Sequence, residues 1–569
     1  MSSITYKKAI ILFTAASILP VFTNIDGARC LAQMDNVVDI ENSYRPEVKD
    51  ANKILVFPEI DPTAPIHYDV TYSLSPLPAT TYAFQPAWAA GSDVVEAGAP
   101  RGFATLAGGT RGNILARGAY GLAFSDNDFF HIDLSLRGHN GYVQNQHTQP
   151  ATRYRSRYYT TRGSVGYEHS FNPQTSLLIH ANVESQVFNY AIDSNKQHHF
   201  LGDFTAALTP IRFNQFSLAA AAGFQLFSQE HLQPHLSAYD KAGETHLFAQ
   251  LNGGYDVNEQ GTIRMDVSAN TFSYSFDHFD AYTSFDINPH YDFSNGTLRL
   301  RAGLHLNMAS GHGAKTRLAP DVRLSFQADK TTDLFVALEG GEVFNDFRHV
   351  TQMSPYWQFS YPFVPGIPVK PQQLPQQFDR LRASAGLDWH FAEGWFTKLY
   401  GGIDLSRNRA ELFDMGNTLV TADGTHFCFG AKFHYDGFSQ RLHADADTRF
   451  HSWKTDGISG ETASSVLEWR PNIEFDAKAD YDVLPRINVG IDFALKTYSD
   501  KDNQHVNMPT AANLGLSATY QVPLPADWGP GRKLSVYMRT DNLLNIHYNE
   551  YLGYRAQGRS VLLGAALTF

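Results

Sequence analysis

Arg153, Arg155 and Arg157 stand at every second position, flanked by Tyr154, Tyr158 and Tyr159, and Arg299 and Arg301 repeat that spacing in a shorter row. In an extended chain this spacing puts each row on one face. A row of guanidiniums can bind anionic solutes or pair with carboxylates such as Asp133, Asp445 or Asp447, and ordinary ion pairing within a polar face is the commoner use. Histidine is plentiful at 23 residues. Its only clusters are His198-His199 and the pair His231 and His235, and neither has a third ligand at metal-binding spacing. The composition places them as solvated residues near loops. No Gly-x-Ser-x-Gly elbow occurs in a supporting context, and scattered Ser, His and Asp residues make no triad without geometry. The sequence therefore assigns no catalytic residue, no metal and no cofactor. A last group is aromatic. Tyr356, Trp357, Phe359, Tyr361 and Phe363 crowd a Pro-rich stretch within 345–377, the composition of a lid or a partner surface.

These residues need elements to position them, and alternation identifies the elements. Leu298, Leu300, Ala302, Leu304, Leu306 and Met308 interleave with Arg299, Arg301, Gly303, His305 and Asn307. Leu381 to Phe391, Leu442 to Phe450 and Ile487 to Leu495 repeat the pattern. Period two over about nine to eleven residues is a strand long enough to cross a bilayer at a tilt. Counted this way, 101–569 holds about twenty-two strands, with eighteen to twenty-two plausible. Examples are 153–171, 395–407, 425–436 and 533–546. Connections after even-numbered strands are nearly all short, as at Ser294-Asn295-Gly296 and Ala392-Glu393-Gly394. Most connections after odd-numbered strands are longer: 139–152, 230–244, 345–377, 408–424 and 498–510. That asymmetry predicts an all-β fold, a closed transmembrane antiparallel barrel with short periplasmic turns and long external loops. On that parity the aromatic loop is external, and the arginine rows are expected to line the lumen. The net charge of −12 argues against nucleic acid as a partner.

Three segments follow. Lys7 and Lys8, an apolar run from Ala9 to Phe22 and the small residues Cys30 and Ala32 make 1–32 an export signal peptide. Residues 33–95 carry seven prolines between Pro46 and Pro86, which excludes central strands and long helices. They are expected to extend through the periplasm or thread the lumen, with a reach of roughly 200 Å at about 3.3 Å per residue. Residues 96–569 form the barrel. No stretch of the mature chain approaches a transmembrane helix in length. The chain ends on Val561, Leu563, Ala565, Leu567 and Phe569, an alternating last strand of the kind that outer-membrane assembly machinery reads.

Asp541-Asn542-Leu543-Leu544-Asn545, then Tyr548, Tyr551, Gly553-Tyr554 and Gly558-Arg559-Ser560 before the closing strand, resemble the end of a TonB-dependent receptor. The leader end Leu31-Ala32-Gln33 and the stretch Tyr44-Arg45-Pro46-Glu47-Val48-Lys49-Asp50 resemble outer-membrane proteins of Bacteroidota. The resemblance implies a receptor-type barrel in the cell outer membrane. It departs from the family before the first strand, where 33–95 shows no pattern of a globular plug and no convincing TonB box. It implies a plugless barrel serving as a subunit of a secretion, insertion or uptake complex, among outer-membrane lipids and with other outer-membrane or periplasmic proteins or a surface lipoprotein. The alternatives are a stand-alone transporter or channel gated by 33–95 and, far behind, a barrel hydrolase.

Overall fold

The computed structural model describes residues 101–144, 152–172, 174–191, 196–230, 241–359, 370–413, 418–456, 467, 469–498, 508–525 and 532–569. The expected signal peptide, the Pro-rich segment 33–95, Tyr361, Phe363, His231 and His235 lie outside the described residues.

Alternation becomes one closed antiparallel sheet of 22 strands. The first thirteen are β1 Gly102–Gly109, β2 Ile114–Ala123, β3 Asp128–Gln144, β4 Arg153–Asn172, β5 Thr175–Asn189, β6 Lys196–Phe213, β7 Phe216–Glu230, β8 Lys241–Asp256, β9 Gly261–Tyr274, β10 Tyr282–Ser294, β11 Leu298–Ser310, β12 Thr316–Asp329 and β13 Thr332–Val343. A short helix, α1 Phe347–Met353, follows. Then come β14 Gln377–Ala392, β15 Trp395–Phe413, β16 Thr418–Gly437, β17 Leu442–Asp456, β18 Pro471–Leu484, β19 Ile487–Tyr498, β20 Ala511–Val522 and β21 Lys533–Asp541. A small hairpin, β22 Asn549–Tyr551 with β23 Tyr554–Arg555, stands apart from the sheet, and β24 Ser560–Thr568 ends it.

Each strand pairs with its sequence neighbour, and β24 closes on β1 from Phe103↔Thr568 to Gly109↔Leu562. Closure leaves no unpaired edge, which is what a sheet needs in lipid. Phe569 O accepts from the N–H groups of Arg101 (2.7 Å) and Gly102 (2.9 Å), so the last residue locks the seam. Val561, Leu563, Ala565 and Leu567 share the outward face of β24, with Leu563 well exposed.

The two faces have opposite chemistry. Leu134, Val183, Leu247, Leu304, Val336, Phe429 and Ile491 are exposed on the outside, an apolar surface that only a hydrocarbon solvent stabilises. Inside, charges meet across strands: Arg117 with Asp133 (3.0 Å), Arg162 with Glu184 (2.6 Å) and Arg449 with Glu474 (3.1 Å). The short turns are built as expected. Gly296 and Gly394 take φ of +86° and +75°, the left-handed conformation that costs glycine nothing.

Three differences from the sequence reading have physical causes. First, β15 and β16 run through the expected loop 408–424, because paired strands continue beyond the membrane as a ribbon. A bulge between Ser406 and Arg409 then changes which residues face inward. Second, the last long strand stops at Asp541, since Asn542 and Asn545 adopt left-handed φ of 49° and 55°. Asn542 Nδ2 donates to Ile546 O (2.9 Å) and Gln557 O (3.0 Å), while its Oδ1 accepts from Ile546 N (2.9 Å). The receptor-like motif is therefore the anchor of the last external excursion. Asn542→Ala is expected to destabilise it by about 2–4 kcal/mol, because three backbone groups lose their partner. Denaturant titration of the folded barrel measures the loss.

Third, Arg153, Arg155 and Arg157 do not line the lumen. The pairing of β3 with β4 is unbroken from Asp128↔His169 to Gln144↔Arg153. Exposed Val165 therefore fixes the odd-numbered residues of β4 as outward. Charge marks the lumen only within the hydrocarbon band; past it the outer face is polar as well. Arg301 faces inward and pairs with Asp292 (2.8 Å), while Arg299 lies on the same inward face near the short turn before β11. Asp133, Asp445 and Asp447 pair with Arg117, His434 and Lys432, not with the arginine rows.

Candidate functional site, a lid across the external mouth

The long connection from β13 to β14 folds inward. The aromatic residues described there are not a surface. Tyr356, Trp357 and Phe359 are 5%, 0% and 2% exposed, packed inside the mouth rather than presented to solvent.

The segment starts at Asn345, whose N–H donates to Gln376 Oε1 (2.6 Å) and whose Nδ2 donates to Pro375 O and Asn408 O (2.7 and 2.8 Å). These bonds tie its two limbs together and to the β15 bulge. Asp346 caps α1, its carboxylate accepting from His349 N (2.6 Å). The helix is too short to persist alone, so contacts across the lumen hold it. Phe347 N donates to Glu244 Oε1 of β8 (3.0 Å), and Arg348 reaches Asp203 of β6 at 2.6 Å. The Trp357 indole N–H donates to Thr351 Oγ1 (2.8 Å). On the return limb, Gln373 exchanges two hydrogen bonds with the backbone of Asp280 in the β9–β10 connection.

These ties seat an apolar core within the mouth. Trp357 and Phe359 meet Phe347, Leu201 of β6, Phe227 of β7 and Phe276 beyond β9, with Ala410, Leu412 and Leu419 of the β15–β16 ribbon. Beside it, Tyr356 stacks on Tyr554 at 3.6 Å between ring centres and meets Phe188 of β5 edge-on at 5.3 Å. Strands from opposite arcs of the wall thus meet on one segment. His199 is part of this ground. It is fully buried against Phe188 (4.8 Å) and Phe227 (5.3 Å), not solvated as composition suggested. Its neighbour His198 faces out.

The ribbon is held by charge. Glu411, wholly buried, accepts from Arg409 Nε (2.6 Å) and Arg470 Nε (3.0 Å). Both guanidiniums lie over the Trp453 ring, at 5.2 and 4.8 Å. A polar row runs below it along the wall. His426 Nδ1 lies 3.0 Å from Asp404, its Nε2 lies 3.0 Å from His451, and His451 lies 3.5 Å from Glu474. Among the described residues no group of three His, Cys, Asp or Glu side chains is disposed to hold a metal.

Nothing in the sequence marked Glu411, Arg409, Arg470 or Glu244 as site residues. Arg409 and Glu411 stand two apart on β15 as an ordinary pair of charges, and only the fold brings Arg470 to Glu411 and Glu244 to α1.

No family model matches the sequence, and no curated protein matches it. Solved structures do. The FrpB iron transporter from Neisseria meningitidis superposes with a TM-score of 0.63 at 9% identity, covering 84% of this chain and 82% of that one. A ferric enterobactin receptor from Pseudomonas aeruginosa gives 0.60 at 11%, covering 83% and 81%. The copper transporter OprC gives 0.59 at 13%, covering 83% and 81%. This chain has the barrel fold of these transporters and receptors. At such identities the likeness is one of fold. The matched proteins are transporters and receptors rather than enzymes.

In this barrel the β13–β14 segment is expected to respond to protons. Burial pushes the Asp346 carboxyl up to about 6, although the bond from His349 N and the nearby Arg348 guanidinium favour its charged form. An open lid returns Asp346 to water, where a free Asp titrates near about 4. The closed lid thus holds the proton more tightly. Its stabilisation is full below about pH 4 and is lost as pH rises through about 6. Limited proteolysis of the segment is expected to be slower at pH 4.5 than at pH 7.5, and Asp346→Asn is expected to reduce that difference, the remainder belonging to Glu244, whose carboxyl is also pushed up by burial and by Asp346. Faster cleavage at the lower pH contradicts the assignment.

Proposed function

We propose that this protein is a gated conduit for solutes across the outer membrane, with the β13–β14 segment as its gate. The observation that carries this is the inward burial of Tyr356, Trp357 and Phe359 on residues from both arcs of the wall. A barrel of this strand number encloses a wide lumen, and closing it needs chain inside the mouth. The solved barrels of similar shape are named for iron, ferric enterobactin and copper. Import of a scarce small solute is the matching activity for this chain. Tyr361 and Phe363 belong to the same segment and to the same role.

Planar-bilayer conductance tests the reading. Replacing 345–376 with a short Gly-Ser turn is expected to open a large, steady conductance that the full chain lacks. Equal conductance of the two forms would falsify it.

The second reading is a barrel subunit of a secretion, insertion or uptake complex of Bacteroidota type. Its support is the Pro-rich segment 33–95, which has the composition of an extended tether rather than of a receptor plug. Co-purification of an outer-membrane, periplasmic or lipoprotein partner, lost on deleting 33–95, favours it. The same segment threading the lumen favours the stand-alone conduit instead. In either case 1–32 directs export, and the outward row from Val561 to Phe569 serves as the assembly signal.

A further inference from the structure

The three arginines that proved not to face the lumen remain unexplained by a lid or a conduit. Toward the external end, away from the bulges after Ser170 and Leu208, continuous register carries their outward face across five strand pairs, from β3 to β8. Tyr142 and Asn140 of β3 stand opposite Arg155 and Arg157, and Asn140 Oδ1 accepts from Arg155 Nε (2.6 Å). Lys196 and His198 of β6 and Lys241 of β8 continue the surface. Among the described residues its carboxylate is Glu230 of β7, already 3.6 Å from Lys241 and 3.7 Å from His198.

Two contrasts give this belt meaning. Lumenal arginines such as Arg117, Arg162, Arg301, Arg323 and Arg449 each have a carboxylate partner. Arg153, Arg155 and Arg157 have none among the described residues. Immediately toward the periplasm, the same face turns apolar through Val183, Phe200, Leu226 and Leu247, which are 52%, 38%, 38% and 53% exposed. The belt therefore stands where hydrocarbon ends and the headgroups of the external leaflet begin. Tyr142, 61% exposed, is the amphipathic ring expected at that level.

We propose that Arg153, Arg155, Arg157, Lys196 and Lys241 form a binding site for the phosphate groups of an outer-leaflet lipid. Guanidinium presents a rigid fork of donors that matches phosphate oxygens two at a time, and lysine adds point charge. Residues two apart on a strand are about 7 Å apart, so the row engages separate phosphate oxygens or separate phosphates of one lipid. The apolar surface below takes the acyl chains. The charge that composition suggested for lumenal anions thus serves an anion held outside the wall.

Each basic residue at such a surface contributes roughly a fivefold gain in lipid binding. The full-length protein in detergent, with bisphosphorylated lipid A as the probe, tests this by native mass spectrometry. The triple variant R153Q/R155Q/R157Q is expected to bind about 100-fold more weakly, while R153K/R155K/R157K keeps most of the binding. Dephosphorylated lipid A is expected to bind wild type as weakly as bisphosphorylated lipid A binds the glutamine variant. Heat-modifiable mobility on electrophoresis confirms that each variant is a folded barrel. Should the glutamine variant not fold, loss of wild-type binding between 50 and 500 mM salt reads the same charge term. Equal binding by the folded glutamine variant overturns the proposal, as does equal binding of the dephosphorylated lipid or salt-insensitive binding. Displacement of the lipid by millimolar inorganic phosphate also overturns it, because the site is then for a free anion.

Discussion

Glu411→Ala is expected to open the external mouth. The carboxylate is fully buried and is shared by two guanidiniums that are themselves 2% exposed. Removing it leaves two cations in a dry site, at a cost of about 3–5 kcal/mol. Arg409 has no reserve, since its Nη2 already lacks a hydrogen-bond partner among the described residues. The damage is local to the gate. Ala410 and Leu412, on either side of Glu411, are part of the seat for Trp357 and Phe359. A loss of that size changes the ratio of closed to open lid by more than about 100-fold. Conductance of the full chain is therefore expected to rise, and the lid to become protease-sensitive, while the barrel stays heat-modifiable. Glu411→Gln keeps the shape and one acceptor oxygen and falls between. The control is Arg409→Met with Glu411→Leu and Arg470→Met, which removes charge and partner together. It is expected to recover most of the closure, as apolar replacement of buried ion clusters does. A folded Glu411→Ala barrel with unchanged conductance and proteolysis breaks the link between the ribbon and the gate.

The wall was legible because its signal is local. Leu298 to Met308 alternates along a single segment, and Asn295-Gly296 turns the chain from β10 into it by its own conformational preference. Each strand announces itself without reference to its partners, and barrel closure follows from their number and length. The gate was not legible for the opposite reason. Trp357 shares one core with Phe227, Phe276 and Leu412, residues separated by as much as 185 positions, and no period joins them. The composition of 355–363 is the same whether the aromatics point to solvent or into the mouth. Alternation also misled where its premise changed. Polar residues mark the lumen only at the depth of the hydrocarbon, so Arg153, Arg155 and Arg157 were assigned inward by a rule that stops applying above it. At Arg407 and Asn408 a single bulge shifts Arg409 and Glu411 to the inward side, and nothing in their residue types announces the extra position. His198 and His199, adjacent in sequence, stand on opposite faces of β6, one in the lipid-facing belt and one under the lid.

Trp357→Ala carries the other large expected effect, and it separates a gate from a mere filling. The indole is fully buried, with the rings of Phe359, Phe347 and Phe227 centred 5.0, 5.4 and 6.2 Å away. Truncation leaves a cavity that the rigid wall cannot collapse to fill, and the Thr351 hydroxyl loses the donor it now accepts from. Such losses cost about 3–5 kcal/mol. If the segment were only core, that energy would come off the stability of the whole barrel. The barrel, though, is held by a closed hydrogen-bonded sheet that Trp357 does not touch with its backbone. The loss is expected to fall on the closed lid alone, giving raised conductance and an unchanged unfolding midpoint for the wall. Trp389→Ala, on the outer face at 45% exposure, is the matched control and is expected to leave conductance alone. Tyr356→Ala is the finer probe. It removes the stack on Tyr554 that joins the lid to the last external excursion. If the two move as one gate, its effect on conductance approaches that of Trp357→Ala despite the smaller cavity. If they move separately, only the excursion around Tyr551 and Tyr554 becomes protease-sensitive, and the gate is the β13–β14 segment by itself.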